Sequence, residues 1–192
     1  MNEYAKKRHW RLTASNFPCI LAKPETKRYI EYMEKIIEHI NGVPEFQDDK
    51  PWFWHGKEWE DEAIDFYEWR MQRDVERFGG SNPKLFIHPK HEFIGCSPDF
   101  KDQDGGGEIK CHKSLKQFLL AEKAGIPTQH IPQVQGTMWI LNASWWNYVS
   151  YFKKNKLIHI YCVYPDLKYH KKLEKACLDF WAKIQEKLKL ST

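Results

Sequence analysis

The chain has 192 residues, 42% of them hydrophobic and 29% charged, which is typical of a folded domain with a sizeable core and predicts one domain across residues 1–192. No apolar run approaches the roughly 18 residues of a membrane span, and the first residues lack the apolar segment of a secretory signal, so we expect no membrane partner. The formal net charge of +4 permits a polyanionic partner without requiring one.

The cysteines are odd in number and widely spaced, without a C-x-x-C pair. This usage predicts free thiols in a reducing compartment. A zinc site that uses Cys96, Cys111 and His112 is disfavoured, because the spacing does not fit zinc ligands.

The N-terminal segment is basic from Lys6 to Arg11, and Thr13 or Ser15 can cap a helix from Ser15 to about Leu21. Arginines beside a helix N-terminus offer a phosphate site. A basic tail followed by an ordinary cap explains the composition more simply.

The next two segments are helical. Apolar residues at helical spacing predict an amphipathic helix over Arg28–Ile40, ended by Asn41-Gly42. A polar loop over Val43–Lys50 precedes a long helix predicted from Trp52 to about Arg77. The buried side of that helix is predicted to carry Trp59, Ala63, Phe66 and Tyr67.

Glu60 shares the apolar face of the long helix with Ala63 and Tyr67. A carboxylate on such a face needs a partner, because an unpaired buried charge is very costly. A metal ion or a lysine would serve, and a salt-bridged glutamate at the edge of the stripe is the simpler alternative.

A β-hairpin is predicted at the centre of the chain. Lys84–His88 and His91–Gly95 are predicted as strands, Gly105-Gly106-Gly107 as a sharp turn, and Glu108–Cys111 as the returning strand.

The hairpin brings Asp99 beside Glu108, with Lys110 next to both and Ile109 pointing into the core, because side chains alternate along a strand. Two carboxylates and a lysine suit metal-assisted phosphodiester cleavage. The carboxylates hold Mg²⁺, the metal lowers the pKa of a bound water, and the lysine orients that water or stabilises charge on phosphorus. An aspartate in a turn and an exposed Glu/Lys pair explain the spacing equally well.

Two further helices follow. One is predicted over Lys113–Ala124 and the other over Gln133–Leu141, with Pro132 in its first turn. Gln133 presents an amide near the helix N-terminus, whereas the direction of Gln135 is ambiguous.

The C-terminal part adds two β-rich segments, Trp145–Phe152 and Leu157–Tyr164, and a final helix capped by Asp166. The order of elements predicts an α/β fold with a central mixed β-sheet flanked by helices.

Four short motifs stand in one order along the chain. They are Thr13-Ala14-Ser15 with Ala22-Lys23-Pro24, Gly56-Lys57 through Glu60 to Ala63, Ser97-Pro98-Asp99 with Glu108-Ile109-Lys110-Cys111, and Gln133-Val134-Gln135 with Met138-Trp139. Together they resemble the motifs of the lambda exonuclease and YqaJ-type viral recombinase family, within the PD-(D/E)xK nuclease superfamily. Two departures are Phe100, where the family has glycine, and an Asp99–Glu108 loop one residue shorter than the lambda-type loop.

The resemblance implies a restriction-endonuclease-like core and an Mg²⁺-dependent exonuclease, with two metal ions and Mn²⁺ as an alternative. Such an enzyme degrades one strand of linear duplex DNA from its 5′ end and leaves a 3′ overhang for homologous recombination by strand annealing. By position, the resemblance implies that Asp99, Glu108, Glu60 and the backbone carbonyl of Ile109 are metal ligands, and that Lys110 is the catalytic lysine.

The resemblance also implies a 5′-phosphate pocket and partners. The pocket residues by position are Arg8, Ser15, Ser97 and Gln133, with Arg11 as the fallback for Arg8 and Gln135 as a further candidate. The implied partners are double-stranded DNA ends, two further copies in a ring-shaped homotrimer, and a single-strand annealing protein. The implied location is the cytoplasm of a bacterial host, with the gene carried by a phage or prophage.

Two other functions fit the same motifs. A site-specific endonuclease on this fold needs an element that reads base edges in a groove, and 192 residues leave no extra domain for it. A DNA-end-binding module with a dead nuclease site is disfavoured because Asp99, Glu108 and Lys110 are all present.

Overall fold

The computed structural model describes residues 3–43, 51–79 and 83–190, and of residues 51–58 only the backbone. The helices are α1 (Glu3–Arg8), α2 (Phe17–Ile20), α3 (Lys27–Ile40), α4 (Pro51–Met71), α5 (Leu115–Ala124), α6 (Ile131–Leu141) and α7 (Leu167–Leu190). The strands are β1 (Leu12–Thr13), β2 (Glu76–Arg77), β3 (Phe86–His88), β4 (His91–Cys96), β5 (Phe100–Asp102), β6 (Gly105–Cys111), β7 (Trp146–Phe152) and β8 (Leu157–Val163). The loop predicted over Val43–Lys50 lies outside the described residues apart from Val43, as does the side chain of Lys57.

The strands form two sheets. The larger has the order β2-β5-β6-β7-β8 and is mixed, because β6 and β7 run parallel while its other pairs are antiparallel. The smaller has the order β1-β4-β3. The predicted α/β fold with a central mixed sheet flanked by helices is confirmed, although the three-stranded sheet is an addition.

Three hydrophobic clusters of the described residues hold the helices against the sheets, and the third packs α6 on β7. The first joins α2, α3 and α7 to the small sheet, with Tyr29 of α3 packed edge-on against Phe180 of α7 at a ring separation of 4.8 Å. The second joins α4 to the large sheet, where Ala63, Ile64 and Tyr67 are fully buried. Because that face of α4 lies on the sheet, Glu60 is placed one turn earlier, at the border of the packed region.

Helix α4 is shorter than predicted. It ends at Met71 because Gln72 adopts a left-handed backbone conformation with φ of 53°, and Glu76–Arg77 form a strand instead. The backbone N–H of Val75 then donates to the Glu68 carboxylate at 2.9 Å, which turns the chain back along the helix.

The prediction of a turn at Gly105-Gly106-Gly107 is wrong. The turn lies at Gln103 and Asp104, Gln103 having φ of 50°, and the glycines are inside β6. The neighbouring strands leave no room for a side chain at these positions. A Cβ on Gly107, for example, would overlap the Phe100 ring and lie 2.9 Å from the carbonyl oxygen of Asn147.

The strand that pairs with β6 also differs from the prediction. It is β5, which starts at Phe100, while His91–Cys96 belongs to the small sheet. Phe100, the departure from the family glycine, is fully buried and packs on Tyr67 at a ring separation of 4.5 Å.

Near the N-terminus, the helix predicted over Ser15–Leu21 is a 3₁₀ turn at Ala14–Asn16 followed by α2, and Leu12–Thr13 is a strand. The remaining predicted helices and strands are confirmed to within two residues at each end. Asp166 caps α7 as predicted, accepting the backbone N–H groups of Lys168 and Tyr169 at 3.0 Å each. No helix of the described residues is long and apolar enough to cross a bilayer.

Candidate active site

Asp99 and Glu108 meet at the point where β5 and β6 begin to pair. Asp99 immediately precedes β5, and its Oδ2 accepts the backbone N–H of Ile109 at 2.5 Å. Glu108 is the next residue of β6 beyond the Phe100–Gly107 pair, so the strand register places the two carboxylates side by side. Ile109 lies between Glu108 and Lys110, with its side chain buried in the core as predicted.

A single oxygen of Glu108 has two donors. Oε1 accepts from Lys110 Nζ at 2.6 Å and from the side-chain amide of Gln133 at 2.5 Å. Burial opposes the charge on Lys110, but the neighbouring Glu108 and Asp99 carboxylates outweigh burial and raise the pKa of its ammonium. Without a bound metal, Lys110 is therefore a cation and a hydrogen-bond donor at neutral pH.

Glu60 joins the site from α4. Its Oε1 is buried and accepts no hydrogen bond from the described residues. Burial in the first place, and the Glu108 carboxylate in the second, raise the pKa of Glu60 to about 7. Burial, Glu108 and Glu60 likewise raise the pKa of Asp99 well above its usual range.

These carboxylates fit a divalent cation. Crowded, buried carboxylates disfavour one another's charge, and a hard cation with oxygen ligands relieves that repulsion. These side chains do not form a complete metal-binding site as they stand. Among the described residues, no three His, Cys, Asp or Glu side chains converge on one point. The Glu108 carboxylate instead accepts hydrogen bonds from Lys110 and Gln133. Glu60, with its unpaired buried oxygen, shows the clearest fit to a metal.

The four predicted phosphate-pocket residues border the same cavity as the carboxylates. This cavity, about 380 Å³, is lined by Tyr4, Arg8, Ala14, Ser15, Glu60, Phe78, Gly79, Pro83, Ser97, Pro98, Asp99, Glu108, Lys110, Gln133 and Thr137. Arg8 donates through Nη2 to Ser15 Oγ at 3.2 Å, and its Nε is buried without a partner in the described structure. A buried guanidinium N–H without an acceptor suits an anionic ligand.

Tyr4 also lines this cavity, and its place there was not predicted from the sequence. Its hydroxyl donates to Ser97 Oγ at 2.8 Å. Tyr4 lies one turn before Arg8 on α1, so both side chains face the cavity. That spacing is the only sequence signal for it, and it is a weak one.

Tyr148 and His130 form a hydrogen-bonded pair behind Glu108. Tyr148 is the partner of Glu108 in the β6–β7 register and is fully buried, and its hydroxyl lies 2.6 Å from Nδ1 of His130. Burial raises the pKa of Tyr148 to about 12 and lowers the pKa of His130, so a protonated phenol donates to a neutral imidazole. No local pattern predicts this contact, because the two residues are 18 positions apart.

Arg11 and Gln135 are not brought to the cavity. Arg11 donates to the carbonyl oxygen of Glu92 at 2.7 Å and lies over the Trp10 ring. Gln135 holds the start of α7, donating to the carbonyl of Tyr164 at 3.0 Å and accepting from the backbone of Asp166 at 2.9 Å. Two residues along a helix turn a side chain by about 200°, so Gln135 points away from Gln133.

A larger groove of about 760 Å³ lies elsewhere. Its lining is Arg70, Met71, Arg73, Trp145, Asn147, Ile158, His159, Ile160 and Cys162. The lining has no carboxylate, so metal chemistry belongs to the smaller cavity.

The fold and site define a restriction-endonuclease-like α/β domain, the class to which two solved exonucleases with the same fold belong. An alkaline exonuclease, LHK-Exo from Laribacter hongkongensis, superimposes with a TM-score of 0.85 at 22% identity, over 99% of this chain and 95% of its own. A phage-related exonuclease from Haemophilus somnus 129PT superimposes with a TM-score of 0.74 at 13% identity, over 96% of this chain and 97% of its own.

The chain belongs to the YqaJ-like viral recombinase domain family, whose model matches residues 3–144. The matched region contains every residue of the carboxylate cavity, and the resemblance drawn from the motifs is confirmed. Among curated proteins, none matches this sequence.

Proposed function

We propose that the protein is an Mg²⁺-dependent 5′-to-3′ exonuclease that degrades one strand of linear double-stranded DNA and leaves a 3′ single-stranded overhang. The observation that carries the proposal is that Glu60, Asp99, Glu108 and Lys110 line one cavity, which Arg8 also borders. Family membership and the exonuclease fold of the structural neighbours support it.

The carboxylates of Asp99, Glu108 and Glu60, with the backbone carbonyl of Ile109, would hold the metal ions. When bound, the metal polarises the phosphodiester and supplies a water of lowered pKa. Lys110 would orient the attacking water and stabilise the charge that builds on the phosphate oxygens.

The polarity follows from the phosphate pocket. Arg8, Ser15 and Ser97 would bind a terminal 5′-phosphate, which carries more negative charge than an internal diester. Ser97 lies two residues before Asp99, so binding of the end would place the first scissile bond at the metal site. Gln133 lines the same cavity and donates to Glu108.

The wider role is part of the same proposal. The overhang would serve phage-type recombination by strand annealing, with a single-strand annealing protein as partner, in the cytoplasm of a bacterial host. A homotrimeric ring would enclose the DNA. The support for these statements is family membership.

One assay tests the activity. Linear and covalently closed duplexes are incubated with Mg²⁺ or Mn²⁺, beside the Asp99→Ala and Glu108→Ala variants. We expect progressive loss of linear DNA alone, from the 5′ strand, and no cleavage by either folded variant, because each removes a metal ligand. Cutting of closed circles would show an endonuclease, and binding of ends without cutting would show a dead nuclease.

A further inference from the structure

Gly79 lies against the carboxylate of Glu60. A Cβ built on Gly79 would overlap Oε1 of Glu60 and lie 2.6 Å from its Cδ, and no other group meets that Cβ more closely. The φ of Gly79 is outside the left-handed region, so the backbone here is one that alanine can adopt. Glycine is therefore needed for space and not for backbone freedom.

The two residues before Gly79, Arg77 and Phe78, fix the backbone of this segment through contacts with three neighbouring elements. The N–H of Phe78 donates to the carbonyl oxygen of Asp99 at 2.8 Å, which extends the β2–β5 pairing to Asp99 itself. The Phe78 ring is buried and packs edge-on against Phe86 at 5.1 Å. Arg77 bonds to the Glu68 carboxylate on α4. A group added at Gly79 would therefore displace the Glu60 side chain before it displaced the chain.

Besides Gly79, the Glu60 side chain meets the Asp99 carboxyl, with which it shares a side-chain hydrogen bond. Its Oε1 is buried and accepts no hydrogen bond from the described residues, so contact with Gly79 limits where that oxygen lies. The N–H of Phe78 bonds to the backbone carbonyl of Asp99, so the same short segment contacts the Glu60 carboxylate and the backbone of Asp99.

We infer that Gly79 is a positioning residue that sets the carboxylate of Glu60 against Asp99. The inference rests on the proposed function, since it concerns the metal ligands of that site. Substitution of groups that orient metal ligands lowers metal affinity by about 10- to 100-fold. Gly79→Ala is expected to act in this range, while the protein stays folded because the displaced group is the end of a flexible side chain.

The first experiment measures Mn²⁺ binding by calorimetry, thermal unfolding without metal, and digestion of linear duplex across a range of Mn²⁺ concentrations. Gly79→Ala should bind Mn²⁺ at least about tenfold more weakly, unfold near the wild-type temperature, and regain much of its rate at high Mn²⁺. The matched control is Gly42→Ala, whose φ of 85° strains alanine although no atom lies within 4 Å of the new Cβ. It should lower the unfolding temperature and leave Mn²⁺ binding and activity unchanged.

The second experiment places Gly79→Ala in a Glu60→Ala background, where the clashing carboxylate is gone. Mn²⁺ affinity should then be the same with glycine or alanine at position 79, because coupled residues are not additive. An equal loss in both backgrounds, or unchanged Mn²⁺ affinity of Gly79→Ala beside an active wild type, would overturn the inference alone. Wild-type protein that neither binds Mn²⁺ nor digests DNA would overturn the proposed function and the inference together.

Discussion

Arg8 and Gln133 border one cavity but have different partners. The Gln133 amide donates to Glu108 Oε1, a proposed metal ligand, at 2.5 Å. Arg8 is paired only to the Ser15 hydroxyl among the described residues, and its buried Nε has no acceptor. The family resemblance assigned both residues to the phosphate pocket, whereas the contacts of Gln133 tie it to the metal site.

This difference predicts two distinct kinetic phenotypes. Arg8→Ala should slow digestion of 5′-phosphorylated duplex by about ten- to a hundredfold and of 5′-hydroxyl duplex much less, because it loses a charge-assisted contact of roughly 1.5–3 kcal/mol to the phosphate. Gln133→Ala should slow both substrates by the same factor, because it loosens Glu108. Initial rates on the two substrates measure the ratio.

Arg11→Ala is the matched control, because Arg11 is an arginine of the same segment that bonds to a backbone carbonyl away from the cavity. It should leave the ratio of the two rates at the wild-type value. Equal slowing of both substrates by Arg8→Ala would show that Arg8 only grips the DNA backbone, and a selective effect of Gln133→Ala would return Gln133 to the phosphate pocket.

Among the elements, the connection between α4 and β2 links the helix of Glu60 to the strand that leads to Gly79. Glu68 of α4 holds this connection in place, because its carboxylate accepts the backbone N–H of Val75 at 2.9 Å and bonds to Arg77. Asp65, one turn earlier, bonds to the same guanidinium at 2.8 Å but is largely exposed. The two acidic residues therefore share a partner and differ in burial.

Glu68→Ala should lower the free energy of unfolding by about 1–3 kcal/mol, because it leaves the part-buried N–H of Val75 without its acceptor. Asp65→Ala removes an exposed ion pair, which is worth less than about 1 kcal/mol. Urea unfolding of the two variants measures the difference. Glu68→Ala should also reduce the cleavage rate, since it frees the segment beside Glu60, whereas equal stability and activity of both variants would show that β2 is held by its pairing to β5 alone.

The sequence predicted those elements whose pattern is local. The apolar spacing that predicts α3 and α7 is found buried in one cluster, and the strands at Trp146–Phe152 and Leu157–Val163 lie where expected. The end of α4 was missed because Gln72, not glycine, takes the left-handed conformation. The glycines of β6 were misassigned because their need for space comes from Phe100, Trp145 and Trp146, which only the folded sheet brings near.

The site residues likewise fall into those that a local pattern predicts and those that it does not. Asp99, Glu108 and Lys110 could be placed together because strand alternation and one short hairpin suffice to join them. The roles of Tyr4 and Gly79 could not be predicted, because each depends on a contact with another element. Tyr4 contacts Ser97, which is distant in sequence, and Gly79 contacts Glu60 on α4.

At the scale of the whole molecule, the charge balance limits how the protein can stay on DNA. The 30 basic and 26 acidic residues leave a formal net charge of only +4. Charges interact over about 8 Å at physiological ionic strength, so a single chain with this balance attracts a duplex weakly. Long digestion without dissociation would therefore need topological closure around the DNA, which is what the proposed ring supplies.

This argument predicts both a mass and a salt response. Sedimentation at low micromolar concentration should give a mass near three times the 23.1 kDa of one chain. The length of strand digested in one binding event, measured with excess competitor DNA, should change little between about 50 and 200 mM salt, because a closed ring is not held by ion pairs. Contacts to phosphates would instead lose about 10³- to 10⁵-fold in affinity over that range when six to ten of them act together. A chain that sediments as a monomer and digests in runs that shorten steeply with salt would contradict the ring, and would leave electrostatic contact as the means of staying on the substrate.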